Sequence, residues 1–424
     1  MTHSEAVPPA DILMLIPNLG VGGAQRVFQD HSILLAERYR VVDVAFNRDG
    51  GQPFPTGNPL LTLDVGGGGG LLNKAGNFAR RVAAMRRIKR ESGARLCISH
   101  MPGADYVNLL SKGAERTIAV VHGSKRGDRE VSGWSGFLQN RLLQPWLYRR
   151  ADRVVTVSRD IARELIGLGL DAGRIQVINN FFDHDTIRSG AAVPLQPDEQ
   201  ALFGEAPVLV TSGRLHPQKN QRALIDIFAA LRKQRLATLI ILGDGELREA
   251  LFDHAQALGL KTWAAWREDD LAPEFDLYLL GARSNPFQWM AQADLFVFPS
   301  DWEGFPLALC EAMICGLPVV SADCPTGPRE ILAPATETPA SPIRQCEPTP
   351  FGHLMPLLVE GHGKDAAIRN WVDTLGMLID DPTARRLAGV AGRMRMEDFS
   401  REVIGNQWFD LVAGVLGEPS ISRR

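Results

Sequence analysis

Apolar runs rich in β-branched residues recur along the chain, separated by stretches with helical spacing. The first series is Ile12–Pro17, Val41–Phe46, Leu96–His100, Thr117–His122, Arg153–Ser158 and Ile175–Asn179. Such alternation predicts βαβ units and a parallel sheet, because parallel neighbours need a crossover long enough to hold a helix. A proline-containing stretch without periodicity, Ser189–Pro207, interrupts the pattern. The series then restarts with Val208–Gly213, Thr238–Gly243, Leu277–Gly281, Leu295–Pro299 and Pro318–Ala322. The expectation is an α/β chain of two parallel-sheet domains, 1–183 and 184–399, with the linker counted in the second. Open parallel sheets bind ligands outside the carboxyl ends of their strands, so a site is expected in a cleft that both domains face.

Two segments depart from this alternation. Gly66–Gly70 is a run of glycines, read as a flexible loop, with a border to an acceptor channel as the alternative. Beyond it, Leu71, Leu72, Ala75, Phe78, Ala79, Val82, Met85 and Ile88 follow helical spacing. Lys74, Arg80, Arg81, Arg86, Arg87, Lys89 and Arg90 interrupt them, which makes an amphipathic, strongly basic helix. A core-facing helix with a solvated charged face is the first reading, and contact with a membrane surface the second.

Composition narrows the classes. With 45% hydrophobic and 22% charged residues over 424 positions, the chain can bury two cores and is not expected to be disordered. Cys97, Cys310, Cys315, Cys324 and Cys346 form no Cys-x-x-Cys pair, so neither a disulfide framework nor a thiolate metal site is suggested, and a reducing cytoplasm fits. Residues Met1 to Ala10 lack a basic start followed by an apolar region, and no apolar run approaches a bilayer span, so the protein is expected to be neither exported nor integral. Charge is uneven: residues 1–183 carry 24 basic and 17 acidic groups, the remainder 22 and 32. The basic first half suggests an anionic partner, either a phosphate-bearing substrate or an acidic membrane surface, with a merely solvated face as the alternative. Nucleic acid is not an expected partner.

The first run leads into Asn18-Leu19-Gly20-Val21-Gly22-Gly23-Ala24, and Gln25 to Glu37 reads as a helix. Glycines at a strand-to-helix turn let the backbone approach a ligand, and a helix N-terminus offers unpaired N–H groups to a phosphate. A nicotinamide site would need Gly-x-Gly-x-x-Gly and an acid closing the second strand. Here the spacing fails and the second run ends Phe46-Asn47-Arg48, so a dehydrogenase is disfavoured.

The most informative segment is Phe298 to Met313. Pro306 suits the first turn of a helix over Leu307 to Cys315, which puts Glu303 in the preceding loop and Glu311 inside the helix. Carboxylates accept hydrogen bonds from sugar and ribose hydroxyls, and N–H groups of Gly304 to Leu307 are expected to be free for a phosphate or sugar oxygen. The plain alternative is that Glu303 caps the helix and Glu311 makes a surface pair. Upstream, Arg214 and Lys219 follow Val208–Gly213 and could clamp a departing diphosphate, or be solvated surface charges.

Together, Gly-Arg-Leu-His-Pro-Gln-Lys-Asn (213–220), Leu-Gly-Asp-Gly-Glu (242–246), Ala-Asp-Leu-Phe-Val-Phe-Pro-Ser (293–300) and Glu303-x7-Glu311 resemble the large family of retaining glycosyltransferases with two Rossmann-like domains, the GT-B fold. Gly-Val-Gly-Gly-Ala-Gln (20–25) and Val-Val-His-Gly (120–123) look like its N-terminal motifs. The resemblance implies that 400–424 crosses back to the first domain, through a helix from Arg401 to Leu416. It implies that Arg214 and Lys219 hold the donor diphosphate, Glu311 the ribose, and Glu303 with the backbone of Gly304, Phe305, Pro306 and Leu307 the transferred sugar. Gly22 and Gly23 would approach the diphosphate and His122 would face the sugar. Gly243 to Gly245 and the turn from Gly281 to Asn285 would flank the base.

The family's chemistry implies a uridine diphosphate sugar as donor, no cofactor, and attack by the acceptor hydroxyl from the face that the phosphate leaves. If Arg214, Lys219 and helix termini supply the charge, no metal is needed. Asp183-His184-Asp185 imitates a metal motif but reads as turn chemistry. His122 could instead be a core histidine satisfied by its neighbours. Residues 323–332 resemble bacterial members that build surface polysaccharides or lipid-linked glycans, which implies a glycan or polyprenyl-diphosphate-linked acceptor at the cytoplasmic face of the membrane. A sugar-nucleotide epimerase and a catalytically silent nucleotide-sugar-binding protein are the rival readings; the first is disfavoured because Glu303-x7-Glu311 belongs to the transferase pattern, the second because Arg214, Lys219, Glu303 and Glu311 are all present.

Overall fold

In the computed structural model the first series of apolar runs forms one parallel sheet, its central strands buried on both faces as helix-covered sheets require. The strands are β1 (Ile12–Ile16), β2 (Val41–Ala45), β4 (Leu96–His100), β5 (Arg116–Val121), β6 (Arg153–Thr156) and β7 (Ile175–Val177), joined at one edge by β3 (Leu60–Thr62), which the series did not include, in the order β3-β2-β1-β4-β5-β6-β7. The order reverses between β1 and β4, so the loops leaving β1, β4 and β5 share the edge where such sheets hold ligands. The structure describes residues 7–47, 55–66, 68, 70–124, 143–267, 270–339, 341–359, 361 and 363–420. Arg48, Gly67 and Gly69 of the sequence argument lie outside them, as do the side chains of Leu71 and Leu72.

The second series forms a separate sheet, as β8 (Val208–Ser212), β9 (Thr238–Leu242), β11 (Leu277–Gly281), β12 (Leu295–Phe298) and β13 (Val319–Ala322), and three strands outside the series extend it: β10 (Thr262–Ala264), β14 (Glu347–Thr349) and β15 (Gly352–Met355). Its order is β10-β11-β9-β8-β12-β13-β15-β14, parallel except for β14 against β15. The switch falls between β8 and β12, and Leu209, Leu224, Phe228, Val297 and Trp371 belong to the core around it.

By contact the chain divides into two units, Met1–Asn180 with Ile404–Arg424, and Phe181–Val403. The helix Arg401–Leu416 enters the first unit with Trp408, Phe409, Leu411 and Val412 buried. The Trp408 ring lies 4.3 Å from that of His31, and Arg38 sits 4.0 Å over Phe409. Among the described residues no helix is long and apolar enough to cross a membrane.

Three local readings change. In the basic helix, Leu71–Ser92, Met85 and Ile88 are buried, but Ala75 and Ala79 are exposed and Asn77 takes an inward position. Lys89 is no solvated charge: its ammonium meets Glu115 at 2.8 Å and donates to the backbone O and Oδ1 of Asn108, which satisfies all three protons. Asp183 is a helix cap and not a simple turn residue; it accepts from the N–H of Thr186 at the start of His184–Ala191.

Candidate functional site

In the second unit three loops meet beyond the carboxyl ends of β8, β12 and β13. Gly213 leaves β8, a single turn of 3-10 helix covers Pro217–Lys219, and Asn220 takes a left-handed conformation that redirects the chain into the helix Gln221–Arg232. This turn is stitched to the loop after β12. Asn220 donates to Asp301 at 2.8 Å, Gln218 donates from its amide to the carbonyl of Trp302 at 2.7 Å, and the N–H of Asp301 donates to the carbonyl of Gln218 at 2.8 Å. The result brings Lys219 Nζ within 2.6 Å of Glu303 Oε1, with the ammonium also 5.4 Å from the centre of the Phe298 ring. Their side chains are 22% and 8% exposed, so the pair is held away from bulk water and is stronger than a surface pair.

The loop after β13 fixes the backbone of Glu303 from the other side. The N–H of Glu303 donates to the carbonyl of Pro325 at 3.2 Å, and the Thr326 hydroxyl donates to the carbonyl of Glu303. Thr326 does this from a φ of 65°, a conformation rare for a β-branched residue. The capping alternative for Glu303 does not hold: Pro306 is the N-cap of helix Leu307–Ile314, no side chain caps it, and the Glu303 carboxylate faces Lys219. Because Pro306 has no N–H, the donors sought over Gly304 to Leu307 reduce to Gly304, Phe305 and Leu307. The Phe305 side chain is buried with its ring 5.3 Å from that of Phe399, so only its backbone remains for a ligand. Glu311 lies half-buried within the helix.

Arg214 does not join Lys219. Its side chain is 68% exposed and bonds Glu246 at 3.1 Å, close to the solvated alternative. Beside it the turns after β8, β9 and β11 pack backbone on backbone: Gly243 donates to the carbonyl of Gly281 at 2.8 Å, and a Cβ on Gly243 would lie 1.9 Å from the Gly213 carbonyl oxygen. Only glycine fits there. Asn285 closes the turn begun at Gly281 by donating to the carbonyl of Gly190 at 2.8 Å.

In the first unit, Gly22 is the N-cap of helix Gly23–Ala36, which has no side-chain cap and no acid in its first turn. Asn18 organises the loop: its Oδ1 accepts from the N–H of Gly20 at 3.2 Å and from the Gln25 amide at 2.9 Å. His122, half-exposed just beyond β5, has its Nε2 2.9 Å from Nδ1 of buried His100 at the end of β4. Sequence reasoning named the charged residues and glycines but missed Asn18, Gln218, Asn220, Asp301, Thr326 and His100. Asn220 offered the one readable signal, an asparagine just before a helix after Pro-x-x, a usual left-handed position. The others act through partners remote in sequence.

Comparison with known proteins gives two family matches: residues 21–186 with the family described as Glycosyltransferase Family 4, and residues 206–339 with that described as Glycosyl transferases group 1. An uncharacterized glycosyltransferase of Methanocaldococcus jannaschii is 33% identical over 196 residues, covering 46% of this chain and 45% of that protein. The N-acetylgalactosamine-N,N'-diacetylbacillosaminyl-diphospho-undecaprenol 4-alpha-N-acetylgalactosaminyltransferase of Campylobacter jejuni is 28% identical over 195 residues, 46% of this chain and 47% of that protein. The chain thus spans about half the length of these curated relatives. Among solved structures, Anabaena HepE in complex with UDP-glucose superimposes with a TM-score of 0.70 at 22% identity, over 96% of this chain and all of that one. That likeness is one of fold.

Proposed function

Since the chain belongs to the glycosyltransferases of group 1 and family 4, with the GT-B fold, we propose that it moves a hexose or N-acetylhexosamine from a nucleotide diphosphate sugar to a glycan or polyprenyl-diphosphate-linked acceptor. The proposal includes a uridine nucleotide, retention of the anomeric configuration, no metal ion, and work at the cytoplasmic face of a membrane in surface-glycan synthesis. HepE, crystallised with UDP-glucose, supports the nucleotide, and the diphospho-undecaprenol in the Campylobacter relative's name supports the acceptor class.

The observation that carries the reading is the contact between Lys219 and Glu303. An ammonium and a carboxylate held together over the start of a helix can divide one donor between them. Lys219 offers its remaining N–H groups to the diphosphate, and the free oxygen of Glu303 accepts from a sugar hydroxyl. Developing charge on the leaving diphosphate is met by Lys219, by Arg214 once it exchanges Glu246 for phosphate, and by the N–H groups at the helix starts. Glu311 is assigned to the ribose, Gly22 and Gly23 to the diphosphate, and His122 to the transferred sugar. The acceptor hydroxyl then gives its proton to a phosphate oxygen as the glycosidic bond forms, so no dedicated protein base is required.

The test is transfer from a panel of radiolabelled nucleotide sugars into a membrane lipid extract with excess chelator, the product's anomeric configuration being read by NMR. Labelled glycolipid with the donor's configuration is expected from a uridine diphosphate sugar. Glu303→Gln, which keeps an acceptor oxygen but loses the charge, should still bind nucleoside diphosphate and transfer at least roughly a hundredfold more slowly. Product of inverted configuration, activity that needs manganese or magnesium, or a Glu303→Gln enzyme at full rate would each remove the matching part of the proposal.

A further inference from the structure

Neighbouring parallel strands deliver two imidazoles to one edge of the first sheet: His100 is the last residue of β4, and His122 follows the last residue of β5. Their rings stack with centroids 5.0 Å apart, and His100 Nδ1 lies 2.9 Å from His122 Nε2. His100 is fully buried, with the Phe28 ring at 84° to it and 5.3 Å away, and the His31 ring also at 5.3 Å. Burial, and after it the neighbouring His122, holds the His100 pKa well below its ordinary value, so the ring is neutral at physiological pH.

A neutral imidazole carries one N–H and one lone pair. His100 Nε2 has no hydrogen-bond partner among the described residues, so a proton there would bury an unsatisfied donor, whereas a proton on Nδ1 points at His122. We propose that His100 is a positioning residue that donates from Nδ1–H to Nε2 of His122 and thereby fixes His122 in its Nδ1–H form and in one ring orientation. With Nε2 occupied as an acceptor, His122 meets its ligand as a donor through Nδ1–H, which suits a sugar oxygen. The pairing stands on the geometry alone; its effect on transfer rests on the reading that His122 faces the donor sugar.

Long-range proton–nitrogen spectra of the full chain carrying nitrogen-labelled histidine report the tautomer directly. Wild type should show His122 as Nδ1–H at neutral pH. His100→Asn sets an amide N–H near the place of the lost Nδ1–H and should keep that form. His100→Phe keeps a ring against Phe28 but no donor, and should move His122 toward Nε2–H. Transfer should fall about ten- to hundredfold in His100→Phe, through kcat more than through the donor's KM, and recover in His100→Asn. A wild-type His122 in the Nε2–H form, a His100→Phe enzyme with unchanged tautomer and rate, or a His100→Asn enzyme as slow as His100→Phe overturns the proposal. If His100→Phe does not fold, the wild-type and His100→Asn spectra still decide it. Full transfer by His122→Phe alongside the expected spectra would remove the sugar contact and leave the pairing in place.

Discussion

Asp43 shows how burial sets the chemistry of a single side chain. It lies within β2, accepting hydrogen bonds from Ser32 at 2.6 Å and from Thr56. Burial raises its pKa from 3.8 to about 6, and the two hydroxyls lower it only in part. Between about pH 4 and 6 the folded protein therefore keeps a proton that the unfolded chain has released. This group's contribution to stability is fullest at the acid end of that window and declines as pH rises through it. Asp43→Asn, neutral throughout, should gain on wild type by about 1–3 kcal/mol between about pH 4 and about pH 7, read from urea unfolding at both. Equal pH slopes in the two proteins would mean that Asp43 is ionised in the fold. At this scale the sequence was informative about residue type and silent about partner. Lys219 and Glu303 stood out as charges next to strand ends, but they are 84 positions apart and nothing local announces that they meet.

Among elements, those that carry many buried β-branched or aliphatic residues were legible, because one face pattern dictates them. β3, β10, β14 and β15 were not: the first three are three-residue strands at sheet edges beside a single neighbour, β14 even contains Pro348, and β15 spans only Gly352–Met355. Loops carry the site, and their geometry depends on tertiary hydrogen bonds that no periodicity encodes. The segment after β13 is the clearest case, since Thr326 holds the carbonyl of Glu303 from a strained conformation. Thr326→Gly separates strain from grip: glycine accepts a φ of 65° without cost but lacks the hydroxyl. Transfer should slow about tenfold as Glu303 loses its fixed position, while the melting temperature shifts by only a few degrees, since about 0.5–1.5 kcal/mol from one hydrogen bond is partly offset by relief of strain. An unchanged rate would mean that the bond from the Glu303 N–H to Pro325 suffices.

For the whole molecule, the restart of the strand series made two sheets legible, whereas the return of the last residues to the first unit followed only from family likeness. That return is built from Trp408 against His31 and from Gly405, where a Cβ would lie 3.0 Å from Leu34. A chain ending at Val403 should keep the unfolding transition of the 181–403 unit and lose or lower that of the first, because deleting the helix bares His31 and Leu34. Calorimetry reads both; an undisturbed first transition would show that the helix is dispensable. The same arrangement bears on biosynthesis. The first 180 residues leave the ribosome early, but their final helix is encoded beyond the entire second unit. At about 5–20 residues per second, a nascent first unit waits roughly ten to forty-five seconds with that face uncovered. Its yield in a cell should therefore depend on chaperones that shield nascent chains and on the speed at which the intervening codons are read.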